Sequence, residues 1–426
     1  MPAPEPQSLR RELTLSQAVA LGIGGTVGGG IYVLTGAVAN RAGPAALLAF
    51  GVAFVCSLLI ALPYAELSCR YPLAGGGYAF ARQVLGPSAG FLMGWCYWGG
   101  YVFISGYVTL GFGGYLHSLA GVPVLGGVFA LLAGAVILNL GGIRASGRAQ
   151  ALVIAVALLA MLVFSTWGAG AVHGSHFAPF APHGVEGVLV ASLLAFLAFG
   201  GFDIVAAAGE EIVDPERNLP RAILITLAAV LAIYLGVTAV GIGVLGASAL
   251  GDEQAPLAVA AAAFGGEPAR AVITLSALLT TAATANAILV VTSRVAFAMA
   301  RDGLMPAWLG TISPATGVPT RALLLNGGLF AAVALIGSVS VYTAIGGWLY
   351  VLHFAVPLVV LCVLRSRGSS TPGFRTPLAR SVIPAAFVAC AVLLVASGAT
   401  GMIGGALWVL SGSFLYLHAR ANRGPS

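Results

Sequence analysis

Six glycines fall within the thirteen residues Leu21–Val33, LGIGGTVGGGIYV, inside an otherwise apolar segment. A second pair, Gly200 and Gly201, interrupts another apolar segment and is followed by Asp203. The chemistry these stretches offer is that of the peptide group. Glycine runs remove side chains and let the backbone leave the helix. In hydrocarbon the freed N–H and C=O groups are tolerated only where they line a cavity or grip a ligand. Asp203 adds a carboxylate at the same depth, where an ionisable group is costly unless paired or hydrated. Two readings of it stand: a functional group, or an acceptor for backbone N–H groups freed by the break.

Other polar residues are sparse. The stretch TTAATANAILVVTS around Thr284 and Asn286 is rich in hydroxyls, which serve interhelical hydrogen bonds or face a coupling ion. Ser105 and Tyr107 are the polar exceptions in a glycine- and aromatic-rich segment. Glu210, Glu211, Asp214 and Glu216, beside Arg217 and Arg221, read either as an ion-pair gate at a membrane surface or as a solvated loop. His173, His176 and His183 have irregular spacing among prolines, and the five cysteines have no metal-like spacing; neither set reads as a metal site. No nucleophile, base and orienting group cluster together, and GIGGTVG follows no strand, so it is not a dinucleotide fingerprint. The chain does not read as an enzyme.

The elements that position these residues follow from composition. Of 426 residues 59% are hydrophobic and only 8% charged, far below the roughly 25% charged of a soluble domain. This is an all-α polytopic membrane protein. Twelve spans are predicted, at about 15–40, 45–69, 88–116, 124–141, 148–168, 187–209, 221–245, 270–299, 321–339, 343–364, 381–398 and 402–419. All nineteen basic residues are arginine, and with both termini cytoplasmic only Arg41 and Arg270 fall outside. The net charge of +6 therefore reflects membrane topology, and no nucleic-acid partner is expected. No cysteine falls in a predicted outer loop, so no disulfide-linked partner subunit is expected. The first and sixth spans, both glycine-broken, lie five apart, the pattern of two five-span units of opposite orientation. The predicted layout is a tail 1–14, a first repeat 15–168, a second repeat 187–364, two further spans within 381–419 and a tail 420–426.

The motifs GIGGTVGGGIYVLTG, AELSCRYPLAGGGY, AFGGFDIVAAAGEEIVDPERNLPRAI and SRVAFAMARDGLMP, in that order, resemble the amino acid, polyamine and organocation transporter superfamily, closest to its bacterial cationic-amino-acid-transporter-like branch. The resemblance implies a five-plus-five inverted-repeat fold, alternating access and an amino acid held between spans one and six. It further implies that the substrate carboxylate meets N–H groups at Gly28, Gly29 and Gly30. The ammonium group would meet carbonyls near Thr26, Val27, Leu197 and Gly200.

Three departures from the family pattern shape the expectation. Gly29 stands where members often have a hydroxyl. Ala157 stands where some proton-coupled relatives have lysine, and this chain has no lysine at all. Ile288 stands where arginine-exchanging relatives place an aromatic ring, so the expected pocket, walled by Phe199, Phe202, Ile288 and the third span, is mostly apolar.

The expected function is a secondary transporter of small or medium neutral amino acids in the cytoplasmic membrane. It would lie in membrane lipid, use no cofactor, and be open to coupling with H⁺ or Na⁺. A cationic amino acid or polyamine exchanger is the alternative within the class, with Asp203 as its motive. An ion channel or non-transporting binder is the alternative outside it, disfavoured by the scarcity of polar intramembrane residues.

Overall fold

The computed structural model describes residues 13–70, 76–141, 147–207, 211–314, 316–368 and 374–421. Among these, helices carry the fold, and the β-pairing is one isolated parallel bridge between Leu13 and Ile212.

The first glycine-rich segment is two helices, α1 (Leu15–Thr26) and α2 (Gly29–Ala42). A capping box starts α1: the Thr14 hydroxyl accepts the Gln17 amide and the Gln17 side chain accepts the Thr14 amide. After a turn at Gly43 come α3 (Ala46–Arg70), α4 (Gly76–Leu85), α5 (Pro87–Ala120), α6 (Val124–Leu140) and α7 (Gly147–Gly168). The second broken segment is α8 (Gly184–Ala198) and α9 (Phe202–Ala207), followed by α10 (Pro215–Leu245), the short α11 (Ala247–Asp252) and α12 (Pro256–Arg301). The chain ends with α13 (Thr320–Ala334), α14 (Val339–Ser366), α15 (Ala379–Ala396) and α16 (Gly398–Ala421).

Among the described residues, eight helical segments are long and apolar enough to cross a membrane, or up to nine if the pair α5 and α6, bent by 118°, is one span. The difference from twelve has identifiable sources. The continuous apolar run Gly29–Arg70 counts once, although Gly43 (φ 64°) turns the chain within it. The helix α13 is apolar but short.

After Arg70, Gly76 and Gly77 open α4. The α12 helix begins at Pro256, a position where proline's missing N–H costs nothing, and its arm beyond Gly266 corresponds to the span predicted at 270–299. Gly266 (φ 64°) divides α12 into two arms.

Small residues set the packing. A Cβ on Gly346 of α14 would lie 3.2 Å from the Gly100 carbonyl of α5, so these two backbones touch. At the periphery α16 is mostly exposed, whereas most of Gly184–Val205 is buried. It is nevertheless clamped to α5 by a reciprocal pair: the Trp95 indole donates to the Trp408 carbonyl at 2.7 Å and the Trp408 indole to the Trp95 carbonyl at 3.1 Å. Each indole also fills the space over a glycine of the other helix, Gly412 under Trp95 and Gly99 under Trp408.

The end of the bundle nearest the N-terminus carries two ion-pair ties. Glu66, 6% exposed, accepts from Arg365 at 2.6 Å and from the Thr376 amide at 2.8 Å. Asp302, after α12, pairs with Arg82 of α4 and accepts the Tyr78 hydroxyl at 2.6 Å. Burial and the Asp302 carboxylate push Tyr78 up to about 12, so it remains a donor throughout the neutral range. The acidic run read either as an ion-pair gate or as a solvated loop does not supply these contacts. Glu210 lies outside the described residues, and none of the three described ion pairs involves Glu211, Asp214, Glu216, Arg217 or Arg221. Glu211 is exposed and contributes its backbone instead, its carbonyl accepting the Leu13 amide at 2.8 Å. The Val213 amide returns a bond to the Leu13 carbonyl at 2.9 Å, completing the bridge that joins the start of α1 to the chain beyond α9.

Candidate functional site

The α1 helix ends where the Val27 amide makes its last helical bond, to Ile23 at 2.7 Å. Gly28 is extended (φ −116°, ψ −157°), and its amide turns back to the Thr26 carbonyl at 2.9 Å. The first amide of α2, that of Gly29, donates to Thr284 Oγ1 of α12 at 3.0 Å, while the Thr284 hydroxyl donates to its own helix at the Thr280 carbonyl. No side chain at Gly28 caps α2. The amides of Gly30 and Ile31 are therefore among the donors that a helix start leaves without an intrahelical acceptor.

In the second break, the Phe199 and Gly200 amides close the last turn of α8, the latter on the Leu197 carbonyl at 3.1 Å. Gly201 then takes φ 121°, a conformation L side chains rarely adopt. The two breaks are in contact. A Cβ on Gly201 would sit 2.3 Å from the Gly25 carbonyl oxygen, and one on Gly30 would sit 3.2 Å from Ala198 Cα. Tyr234 of α10 joins them, its hydroxyl lying 3.1 Å from the Thr26 carbonyl and 2.9 Å from the Ala198 carbonyl as a shared donor.

A cavity of about 150 Å³ opens beside the breaks, smaller than the roughly 300–1,000 Å³ that holds drug-sized ligands. Of the residues singled out from sequence, Thr26, Val27, Gly28, Gly29, Gly30, Tyr107, Leu197, Gly200, Gly201, Thr284 and Ile288 line it. The others do not. Ser105 donates to the Val102 carbonyl of its own helix at 2.6 Å. Phe199 packs on Phe50, Phe54 and Tyr234, and Phe202 stacks on Phe354 with centroids 5.0 Å apart. Asn286 accepts from Asn139 of α6 at 2.6 Å, tying two helices together. Asp203 is 5% exposed and stands behind the wall. The positive φ at Gly201 resets the phase of α9, which is why Phe202 meets α14 and not the cavity.

The wall, expected to be mostly apolar, carries more hydroxyls than anticipated. Tyr97, Tyr101 and Tyr107 of α5 and Tyr350 of α14 line the cavity, together with Thr280. Tyr97 and Tyr101 pack edge to face at 4.8 Å, and Tyr101 meets Tyr350 at 5.5 Å. Toward the end where α1 and α7 begin, the cavity is bounded by Gly24, Gln150, Ile154, Ile204 and Val291. On the opposite side Tyr32 bonds Ser276 of α12 at 2.6 Å, and Tyr115 donates to the Tyr32 carbonyl at 2.9 Å. There α11 lies against α2, a Cβ on Gly36 being 2.9 Å from the Leu250 carbonyl. Among the described residues no group of three or more His, Cys, Asp or Glu is placed to hold a metal ion.

The amino acid permease family matches residues 13–417. The chain is 29% identical to the branched-chain amino acid permease BcaP of Bacillus subtilis over 98% of this chain and 96% of that protein. It is 34% identical to human cationic amino acid transporter 4 over 86% of this chain and 62% of that protein. An uncharacterized transporter of Mycobacterium tuberculosis is 31% identical over 94% of this chain and 89% of its own length. These relatives are permeases and transporters, none of them an enzyme. Broken helices around a small cavity, in a chain of apolar helices matched almost end to end, identify a multi-pass membrane protein of the amino acid permease family, within the amino acid, polyamine and organocation transporter superfamily.

Proposed function

We propose that this chain is a secondary transporter that carries small or medium neutral amino acids across the cytoplasmic membrane by alternating access. The observation that carries the reading is the start of α2 beside the cavity, where the Gly30 amide and the positive end of the helix adjoin a space suited to a carboxylate. The cavity's size supports a small cargo, and Ile288 and Ile104 in its wall support an uncharged side chain. The fold reading is twelve spans in two inverted five-span repeats, with α1 and α2 as span one and α8 and α9 as span six. Both termini are read as cytoplasmic, from the arginine distribution. On that topology the cavity extends inward, while the Tyr32–Ser276 bond and α11 lie on the closed outer side.

A cationic substrate is the second reading, favoured by the unpaired Asp203 Oδ1 close behind the tyrosine wall. Coupling to H⁺ is supported by the same carboxylate, and coupling to Na⁺ by the hydroxyls of α12.

Purified protein in liposomes is expected to take up labelled alanine or leucine in preference to arginine, with a sodium gradient, a proton gradient or internal amino acid identifying the coupling. Gly30→Leu is expected to abolish both binding and uptake by covering the carboxylate-facing amides. Undiminished binding by that variant would refute the site.

A further inference from the structure

Arginine on the outer face runs against the positive-inside bias, and on the proposed topology only Arg41 and Arg270 stand there. Arg270 is accounted for: it pairs with Glu267 at 3.2 Å and donates to the Ser118 carbonyl and hydroxyl at 2.9 and 3.0 Å. Arg41, in the last turn of α2, makes no ion pair among the described residues.

It lines a cavity of about 360 Å³ together with Asn40, His183, Glu186, Gly187 and Val190, none of which borders the cavity at the helix breaks. The walls are the end of α2 and the start of α8, whose backbones touch: a Cβ on Gly187 would lie 2.6 Å from the Arg41 carbonyl oxygen. Glu186 makes no ion pair among the described residues either. The Arg41 guanidinium and the Glu186 carboxylate, both exposed, thus share one cavity without closing on each other. Asn40 donates through its amide to Asp252 at 3.4 Å, which leaves its side-chain oxygen as an acceptor. A second cavity of about 250 Å³ adjoins this one at Arg41 and Val190, with Leu193, Leu194, Val341 and Ala344 in its wall.

We infer that this cavity is an outer capture site for the zwitterionic backbone of an amino acid. Arg41 binds the carboxylate, Glu186 and Asn40 Oδ1 bind the ammonium group, and the adjoining apolar cavity takes the side chain. A guanidinium meets a carboxylate with two parallel hydrogen bonds. A ligand carrying both charges satisfies both residues at once, whereas a simple anion is repelled by Glu186 and a simple cation by Arg41. From Gly30 to Arg41 α2 covers roughly 16 Å at 1.5 Å per residue, so this site is separate from the one at the breaks and lies on the outer side of the Tyr32–Ser276 bond. Charges this exposed bind weakly. The site therefore concentrates amino acid at the outer mouth without retaining it. This rests on the proposed transport function and its topology.

The test is initial uptake by the full-length chain measured from each side, in intact cells that lack their own uptake of labelled leucine and in inside-out vesicles made from them. Arg41→Gln and Glu186→Gln are each expected to raise the KM from the outer side roughly threefold, with the maximal rate kept and the KM from the inner side within about twofold. Added salt is expected to raise the outer KM of wild type and to leave that of the variant carrying both substitutions unchanged, because exposed charges are screened. An outer KM that neither substitution moves, or that rises equally with the inner KM, overturns the capture site. A lipid headgroup held between the two charges would instead shift the maximal rate in both directions, and that result also overturns it. A wild type that moves neither leucine nor alanine from either side overturns the proposed function itself, a result visible before any variant is made.

Discussion

Thr284 gives the start of α2 what a helix start usually takes from its own N-cap. Gly28 has no side chain to offer, and the missing acceptor comes from another helix, with Thr284 Oγ1 3.0 Å from the Gly29 amide. An absent hydroxyl at position 29 is thus answered from α12. The arrangement also holds the following amides at the cavity edge. Thr284→Val preserves shape and removes the acceptor, at a cost of about 1–2 kcal/mol at a helix N-terminus. Amino acid affinity is expected to fall roughly tenfold, and Thr284→Ser to restore it. Equal affinities for the valine and serine variants in a binding titration would show that the bond does not order the site.

At the level of elements, Tyr234 decides how the two broken segments sit together. Its hydroxyl is shared by the carbonyls that end α1 and α8, and its ring packs on Phe50 and Phe199 at 5.6 and 5.4 Å. Tyr234→Phe keeps the ring and removes the donor. The variant is expected to lose about 1–3 kcal/mol of stability, read as an earlier melting transition in detergent, and to lose transport more than it loses folded protein.

Nothing in the sequence distinguishes Tyr234 from any other aromatic in an apolar helix, because its role depends on two carbonyls far away in the chain. The breaks themselves were legible. Glycine runs that abandon the helix are a local property, and the helices stop at Thr26 and Ala198, within or beside the runs. What was not legible was the direction of the side chains after a break. Once Gly201 adopts φ 121°, helical periodicity carried over from α8 no longer applies, so Phe202 and Asp203 were expected in the cavity wall and are found behind it. Tyr97, Tyr101 and Tyr350, which take their place, come from α5 and α14. Their aromatic spacing is equally suited to packing, and only the folded arrangement tells lining from core.

For the molecule as a whole, the first broken segment is tied at two points to the second and to the chain beyond it. Near the breaks the Gly25 and Gly201 backbones touch, and Leu13 pairs with Ile212 through two hydrogen bonds. In the proposed transport cycle, α1 is expected to keep both ties while it moves against α7 and α12. Cysteines replacing Leu13 and Ile212, close enough across a β-bridge to form a disulfide, are expected to leave uptake intact when oxidised. Arrest of uptake, reversed by reductant, would show that the tips must part. In the proposed cycle the short backbone ladder outside the predicted spans acts as a coupling rod between the two glycine breaks.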